Sequence, residues 1–210
     1  MAVIEAPRRL ASFVIAATWT FFAGRLLTFS LFGLNLTLLL AAPPADFPYD
    51  AFAKVLTLST RLALFTQAVA GVLALIWIHR VSRNAQRLAN HGLPMSAGWA
   101  VGWYFVPIAA IWKPFEGMEQ TWKASVAGAA WRSVATPGLL RWWWGAWLAG
   151  GGIGGFAGVL KQAGLHDRAV LSGLIMLGGL AVMAQCVLFN RIVRRVTDLQ
   201  GRAVDASVFD

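Results

Sequence analysis

AVLSGLIMLGGLAVMAQCVLFNRIVRR, residues 169–195, carries both signals that decide the fold. Its first 22 residues hold no charge, and as a helix they reach about 33 Å, enough to cross a hydrocarbon layer of about 30 Å. Arg191, Arg194 and Arg195 follow directly, where a helix end would meet headgroups. Three more apolar runs share this pattern, so spans are expected over about 13–40, 62–80, 142–160 and 169–190. With 58% hydrophobic residues, 13% charged ones, 11 Trp and a net charge of +9, the composition belongs to a membrane class.

The basic residues sort by side. Arg8, Arg9, Arg80, Arg83, Arg87, Lys113, Lys123, Arg132, Arg141, Arg191, Arg194, Arg195 and Arg202 form one group. Lys54, Arg61, Lys161 and Arg168 form the other, and Arg25 lies inside a run. Basic residues near span ends stay on the cytoplasmic side. The expectation is therefore an all-α membrane protein, a single integral domain over 1–210 in the inner (plasma) membrane. Its four transmembrane helices make two hairpins with both termini cytoplasmic. Pro7-Arg8-Arg9-Leu10 also suits a signal sequence, but the apolar run continues to Leu40, well beyond an h-region of about 7–15 residues, so a retained signal anchor is the reading.

Trp99 to Trp112 is apolar but covers only about 21 Å as a helix and contains Pro107, so a re-entrant or interfacial element over 97–114 is expected in place of a fifth span. After Pro114 a helix can restart. Phe115, Met118, Trp122, Val126 and Ala129 repeat at helical spacing while Glu116, Glu119, Gln120, Lys123 and Arg132 take other faces, which predicts an amphipathic helix over 115–132 at the cytoplasmic interface. Glu119 and Lys123 form a favourable i to i+4 pair. The second helix is expected from about Leu56 to Leu88, and Pro43-Pro44 is expected to close the first. In the third span Trp142, Trp143, Trp144 and Trp147 read as an interfacial belt. Ala146, Gly150, Gly154 and Gly158 read as a bare face for packing on Gly173, Gly178 and Gly179 of the fourth span, with packing on another protomer as the alternative.

Within the spans three polar residues stand out: Arg25, Gln67 and Gln185. Burying Arg25 costs about 2.5–3.5 kcal/mol on insertion scales, so a placement in which the bilayer takes residues 26–42 and Arg25 snorkels to the inner surface is favoured. Cys186, the one cysteine, reads as packing. Arg80, Val81, Arg83 and Leu88 echo Arg191, Ile192, Arg194 and Leu199, a pattern that positive-inside selection produces without duplication.

The densest motif lies between spans two and three. It comprises Trp77, Arg80 and Asn84; Gly98-Trp99-Ala100-Val101-Gly102; Phe105-Val106-Pro107; Lys113-Pro114-Phe115; and Trp122-Lys123-Ala124-Ser125, with Val196-Thr197-Asp198-Leu199-Gln200 after the last span. This resembles the bacterial membrane family catalogued as domain of unknown function 4328, over most of the chain from about residue 60. The resemblance implies a multi-span membrane domain and no established activity. Two positions depart from the family pattern: Ala110, where Asn is common, and Leu88-Ala89, where Leu-Gly is common.

Residues expected to meet a ligand or lipid headgroup at the inner surface are Arg80, Asn84, His91, Trp99, Trp103, Trp112, Lys113, Glu116, Glu119, Trp122 and Lys123. The plain alternative is a solvated face with ordinary salt links. His79, His91 and His166 lack Cys or acidic partners at metal-ligand spacing, so no metal or cofactor is expected. No nucleophile elbow, phosphate loop or dinucleotide fingerprint occurs, and the spread of basic residues argues against nucleic acid. The functional expectation is a non-enzymatic module binding anionic lipid or a protein partner. The alternatives are an oligomeric channel or small-solute transporter, and an inner-leaflet enzyme acting on a lipid or isoprenoid with Glu116 or Glu119 as acid or base.

Overall fold

The computed structural model describes residues 6–41, 46–164 and 167–206. Among these residues six α-helices run in order: α1 (Arg8–Ala41), α2 (Tyr49–Leu88), α3 (Ala97–Gly102), α4 (Lys113–Ala127), α5 (Gly138–Gln162) and α6 (Arg168–Ala206). Short 3-10 turns lie at Trp103–Phe105, Ala109–Ile111 and Gly128–Ser133. Among the described residues every element is helical. Three helices, α1, α2 and α6, are long and apolar enough to cross a membrane. α5 has the length, 25 residues, but its many glycines dilute its hydropathy. Pro43-Pro44 and His166 lie outside the described residues.

Helix boundaries depart from the expected ones at the polar ends. α2 begins at Tyr49, seven residues before Leu56, because Pro48 can precede a first turn without losing a needed amide and Asp50 complements the helix start. That takes up much of the stretch between the first two expected spans, 13–40 and 62–80. α6 likewise runs on past the apolar stretch to Ala206.

The contacts divide the chain into two compact units, one comprising 1–16, 70–144 and 188–210, the other 17–69 and 145–187. In the second unit bare backbone permits close helix packing. An added Cβ on Gly150 would lie 2.8 Å from Val182 Cγ2, and one on Gly178 would lie 3.4 Å from Ile153, so α5 and α6 pack within the chain. The expected glycine face is only partly used: Gly154, Gly158 and Gly173 face open space, while Ala157 is buried. Packing follows Gly150, Ile153 and Ala157, at spacings of three and four, instead of a strict step of four. α1 joins α6 through Asn35 Nδ2, which donates to Ser172 Oγ at 3.3 Å.

In the first unit α2, α4 and α6 share a core that is unusually polar. Trp77 Nε1 donates to Thr197 Oγ1 (3.3 Å), Asn84 Nδ2 donates to Gln200 Oε1 (3.1 Å), and Ser82 and Thr121 share a hydroxyl bond (3.0 Å). Gln200 Nε2 donates both to the Val81 carbonyl (2.9 Å) and to Ser125 Oγ (3.0 Å). Beside this network Ala85, Ala89, Leu93 and Ala124 close an apolar patch under Trp131. α4 buries Pro114, Gly117, Met118, Thr121, Trp122, Ala124 and Ser125, whereas Val126 and Ala129 are exposed. The expected apolar face is thus corrected by a rotation, because the hydroxyls of Thr121 and Ser125 have partners on α2 and α6. The helix also ends at Ala127, where Gly128 takes a positive φ of 54° under the Leu88 carbonyl.

Candidate functional site

The connector between α2 and α4 is held in place by side-chain clamps. After α2 the chain reverses through Asn90 and His91, both left-handed (φ 50° and 59°), with the His91 amide donating to the Gln86 carbonyl at 2.6 Å. Gln86 Nε2 donates to the carbonyls of Leu93 (3.3 Å) and Met95 (2.6 Å), and Gln120 Oε1 accepts from the Met95 amide (3.1 Å). Ser96 Oγ then caps α3 by accepting from the Trp99 amide, while His79 Nδ1 lies 3.2 Å from the Ala97 carbonyl. Gly117 admits Met95 and Ala100 so closely that an added Cβ would meet Met95 Sδ at 2.8 Å.

Residues 97–114 form two short pieces with a bend at Val106–Ile108, as the two prolines imply. Trp99 stacks on Trp103 (centroids 4.5 Å apart), and Trp144 Nε1 donates to the Ile111 carbonyl at 2.9 Å. The outer side of this segment stays apolar and uncovered. Phe105 and Ile108 are 71% and 73% exposed, and Trp99, Ile111 and Trp112 are exposed as well.

Against this frame the expected site residues separate. Asn84 and Trp122 are buried in the core of the unit and present no surface. Lys113 pairs with Glu116 at 2.7 Å, and Lys123 pairs with Glu119 at 2.9 Å. The Glu119 carboxyl also accepts from Thr136 Oγ1. Burial pushes that carboxyl up, but the bonds from Thr136 and Lys123 and the charges of Lys123 and Arg141 more than offset it, holding Glu119 below its ordinary range. It is therefore ionised at neutral pH, an acceptor in a salt link. Arg80 is exposed, Trp103 is half-buried and Trp112 is exposed.

His91 joins a different group. It lines an open pocket of about 520 Å³ with Arg83, Gln86, Arg87, Leu93, Pro94, Ser96 and Ala97. No Asp or Glu is among the described lining residues. The sequence sorts Arg83 and Arg87 to the inner side but does not join Ser96 to them. The Asn90-His91-Gly92 turn was the available signal.

In the second unit Arg25 is half-buried. A Cβ on Gly179 would lie 3.6 Å from Arg25 Nη2, and Arg25 Nε has no partner among the described residues. The adjoining crevice, about 10 Å³, would hold at most one water molecule. Gln67 is exposed and Gln185 half-buried, and neither bonds to Arg25 among the described residues. Two further polar groups were not anticipated: among the described residues Asn190, buried, has neither amide atom bonded, and Trp143 has a buried Nε1 without an acceptor.

Fold and site together define an all-helical protein with membrane-compatible helices and a clamped, basic, Trp-rich connector. The chain belongs to the family described as domain of unknown function (DUF4328), which matches residues 49–198. No curated protein and no solved structure matches it. In this member the motif residues Trp77, Asn84, Ala124, Ser125, Thr197 and Gln200 all fall in the buried core of the first unit.

Proposed function

We propose that the protein is a four-span inner-membrane module, both termini cytoplasmic, that docks its connector on anionic lipid. Residues 97–114 re-enter or lie in the inner interface, and α5 is the fourth span despite its glycines. The observation that carries this reading is the uncovered apolar row Trp99, Phe105, Ile108, Ile111 and Trp112, tied by the His79 contact to the basic end of α2. Such a row suits an acyl-headgroup boundary, and Arg80, Arg83 and Arg87 beside it supply roughly 1 kcal/mol of attraction each near an anionic surface. Arg132, seated over the Trp131 ring at 4.6 Å, extends the basic face. Lys123, already engaged by Glu119, contributes less.

Arg25 enters the same picture. Gly179, its neighbour, stands at the midpoint of residues 169–190, so contact with it favours a buried guanidinium over one that snorkels to the inner surface.

Native mass spectrometry of the extracted protein tests the docking reading. Wild type is expected to retain anionic over zwitterionic lipid, and joint Arg80→Gln, Arg83→Gln and Arg132→Gln substitution should abolish the preference. Unchanged retention would sink it.

A further inference from the structure

We propose that Arg25 is the docking point for a second membrane protein, receiving the carboxylate of an Asp or Glu set near the centre of that partner's transmembrane helix. The proposal rests on the buried placement of Arg25 given above.

Arg25 lies on α1 against α6, within the second unit. Gly179 has no side chain, and a Cβ there would stand 3.6 Å from Arg25 Nη2, so the guanidinium folds onto bare backbone. The crevice beside it is lined by Thr28, Phe29, Phe32, Ile175 and Met176, and the Thr28 hydroxyl donates to the Gly24 carbonyl at 3.0 Å. Arg25 Nε is buried and has no hydrogen-bond partner among the described residues. Ionisable groups at membrane depth almost always meet an opposite charge, a carbonyl or water, so this one calls for a counter-charge.

The nearer sources of that charge fall short. Water has little room, since the crevice of about 10 Å³ holds at most one molecule. Lipid phosphates lie about 15 Å from the midplane, half the hydrocarbon thickness, which is beyond the reach of one arginine side chain. A second copy of the chain offers no acid at this depth: the apolar runs 13–40, 62–80, 142–160 and 169–190 contain neither Asp nor Glu. What remains is a carboxylate carried into the bilayer by a different protein. Leu26 and Leu180, next in sequence to Arg25 and Gly179, are exposed, so apolar surface of the kind a membrane helix packs on flanks the guanidinium. The planar fork of an arginine matches a carboxylate with paired, charge-assisted bonds, and the low dielectric of the hydrocarbon strengthens them.

The test uses the full chain in phosphatidylcholine vesicles with dansyl-labelled Leu-Ala host helices about 22 residues long, long enough to span. One carries a central Glu, one a central Gln, and one a Glu near its end; energy transfer from the tryptophans of the chain follows association. The central-Glu helix is expected to bind more tightly than the central-Gln helix by about tenfold, the scale of one charge-assisted bond. Arg25→Leu should abolish that preference and Arg25→Lys should keep it. Equal binding of the Glu and Gln helices to wild type, or a Glu preference that survives in Arg25→Leu, would overturn the proposal. A parallel measurement fixes the depth: Arg25→Cys in a Cys186→Ala background should refuse a membrane-impermeant maleimide from either face of the vesicles. Refusal without any helix preference overturns the partner and leaves Arg25 buried. Labelling at the inner face, or a preference for the helix with Glu near its end, overturns the buried placement and the proposal with it.

Discussion

Replacing Gln200 with Ala should be among the most damaging single changes in the first unit. The side chain is fully buried, accepts from Asn84 and donates to Val81 and Ser125. Removing it takes one acceptor from the Asn84 amide and forfeits two further bonds, each worth about 0.5–1.5 kcal/mol. The Val81 carbonyl and Ser125 hydroxyl suffer less, since Ser125 Oγ still donates to the Thr121 carbonyl at 2.7 Å. With the vacated volume included, the loss is on the order of 3–5 kcal/mol. For a chain of this size that lowers the melting temperature by roughly 10 °C. Tryptophan emission in detergent reports it, because Trp77 bonds to Thr197 less than one turn away. Gln200→Met, which keeps the volume, should recover part of the loss. Asn84→Leu combined with Gln200→Met should cost about 1 kcal/mol less than the two singles added, since both remove the one bond they share. A Gln200→Ala protein melting within about 2 °C of wild type would refute the polar-core argument.

Other outcomes follow from the same packing. Gly150→Ala should destabilise by about 1–3 kcal/mol through overlap with Val182, and adding Val182→Ala should relieve it, whereas Gly154→Ala and Gly158→Ala should be neutral or mildly stabilising; thermal melts of these variants check this. Asn190→Leu should raise the melting temperature, since it removes a desolvated amide that has no partner among the described residues; a lowered melt would mean that the amide has one. Glu119 has a folded pKa below its unfolded value of about 4.3, so its stabilising contribution is present above that pH and is lost as pH falls through the folded pKa. Melting of wild type and Glu119→Gln should therefore converge on acidification; a gap that widens would contradict the salt link.

What the sequence discloses here is whatever acts over one or two turns. Apolar runs and sorted arginines mark the long helices, Pro107 marks the bend, and the Glu119–Lys123 pair forms as its spacing requires. Gln200 shows the limit. Its partners Asn84 and Val81 are 116 and 119 residues away, and nothing in its own neighbourhood marks it as a hub. The face of α4 was misjudged for a related reason: periodicity counts Val126 as apolar and Thr121 as polar, but burial went to the hydroxyls that had partners. The pocket was half legible. Arg83 and Arg87 share a helix face in any reading, while His91 and Ser96 reach it only through a left-handed turn and the Gln86 clamp.

The most direct test of the four-span account is cysteine accessibility in intact cells. In a Cys186→Ala background, single cysteines at Lys54, Ser96, Arg132 and Lys161 would be exposed to a membrane-impermeant maleimide. Labelling of 54 and 161 from outside, with 96 and 132 labelled only after lysis, is the result the account requires. Protection of 161 until lysis while 54 is labelled would mean that α5 does not cross, and the module proposed here would have three spans and its C-terminal basic cluster on the far side.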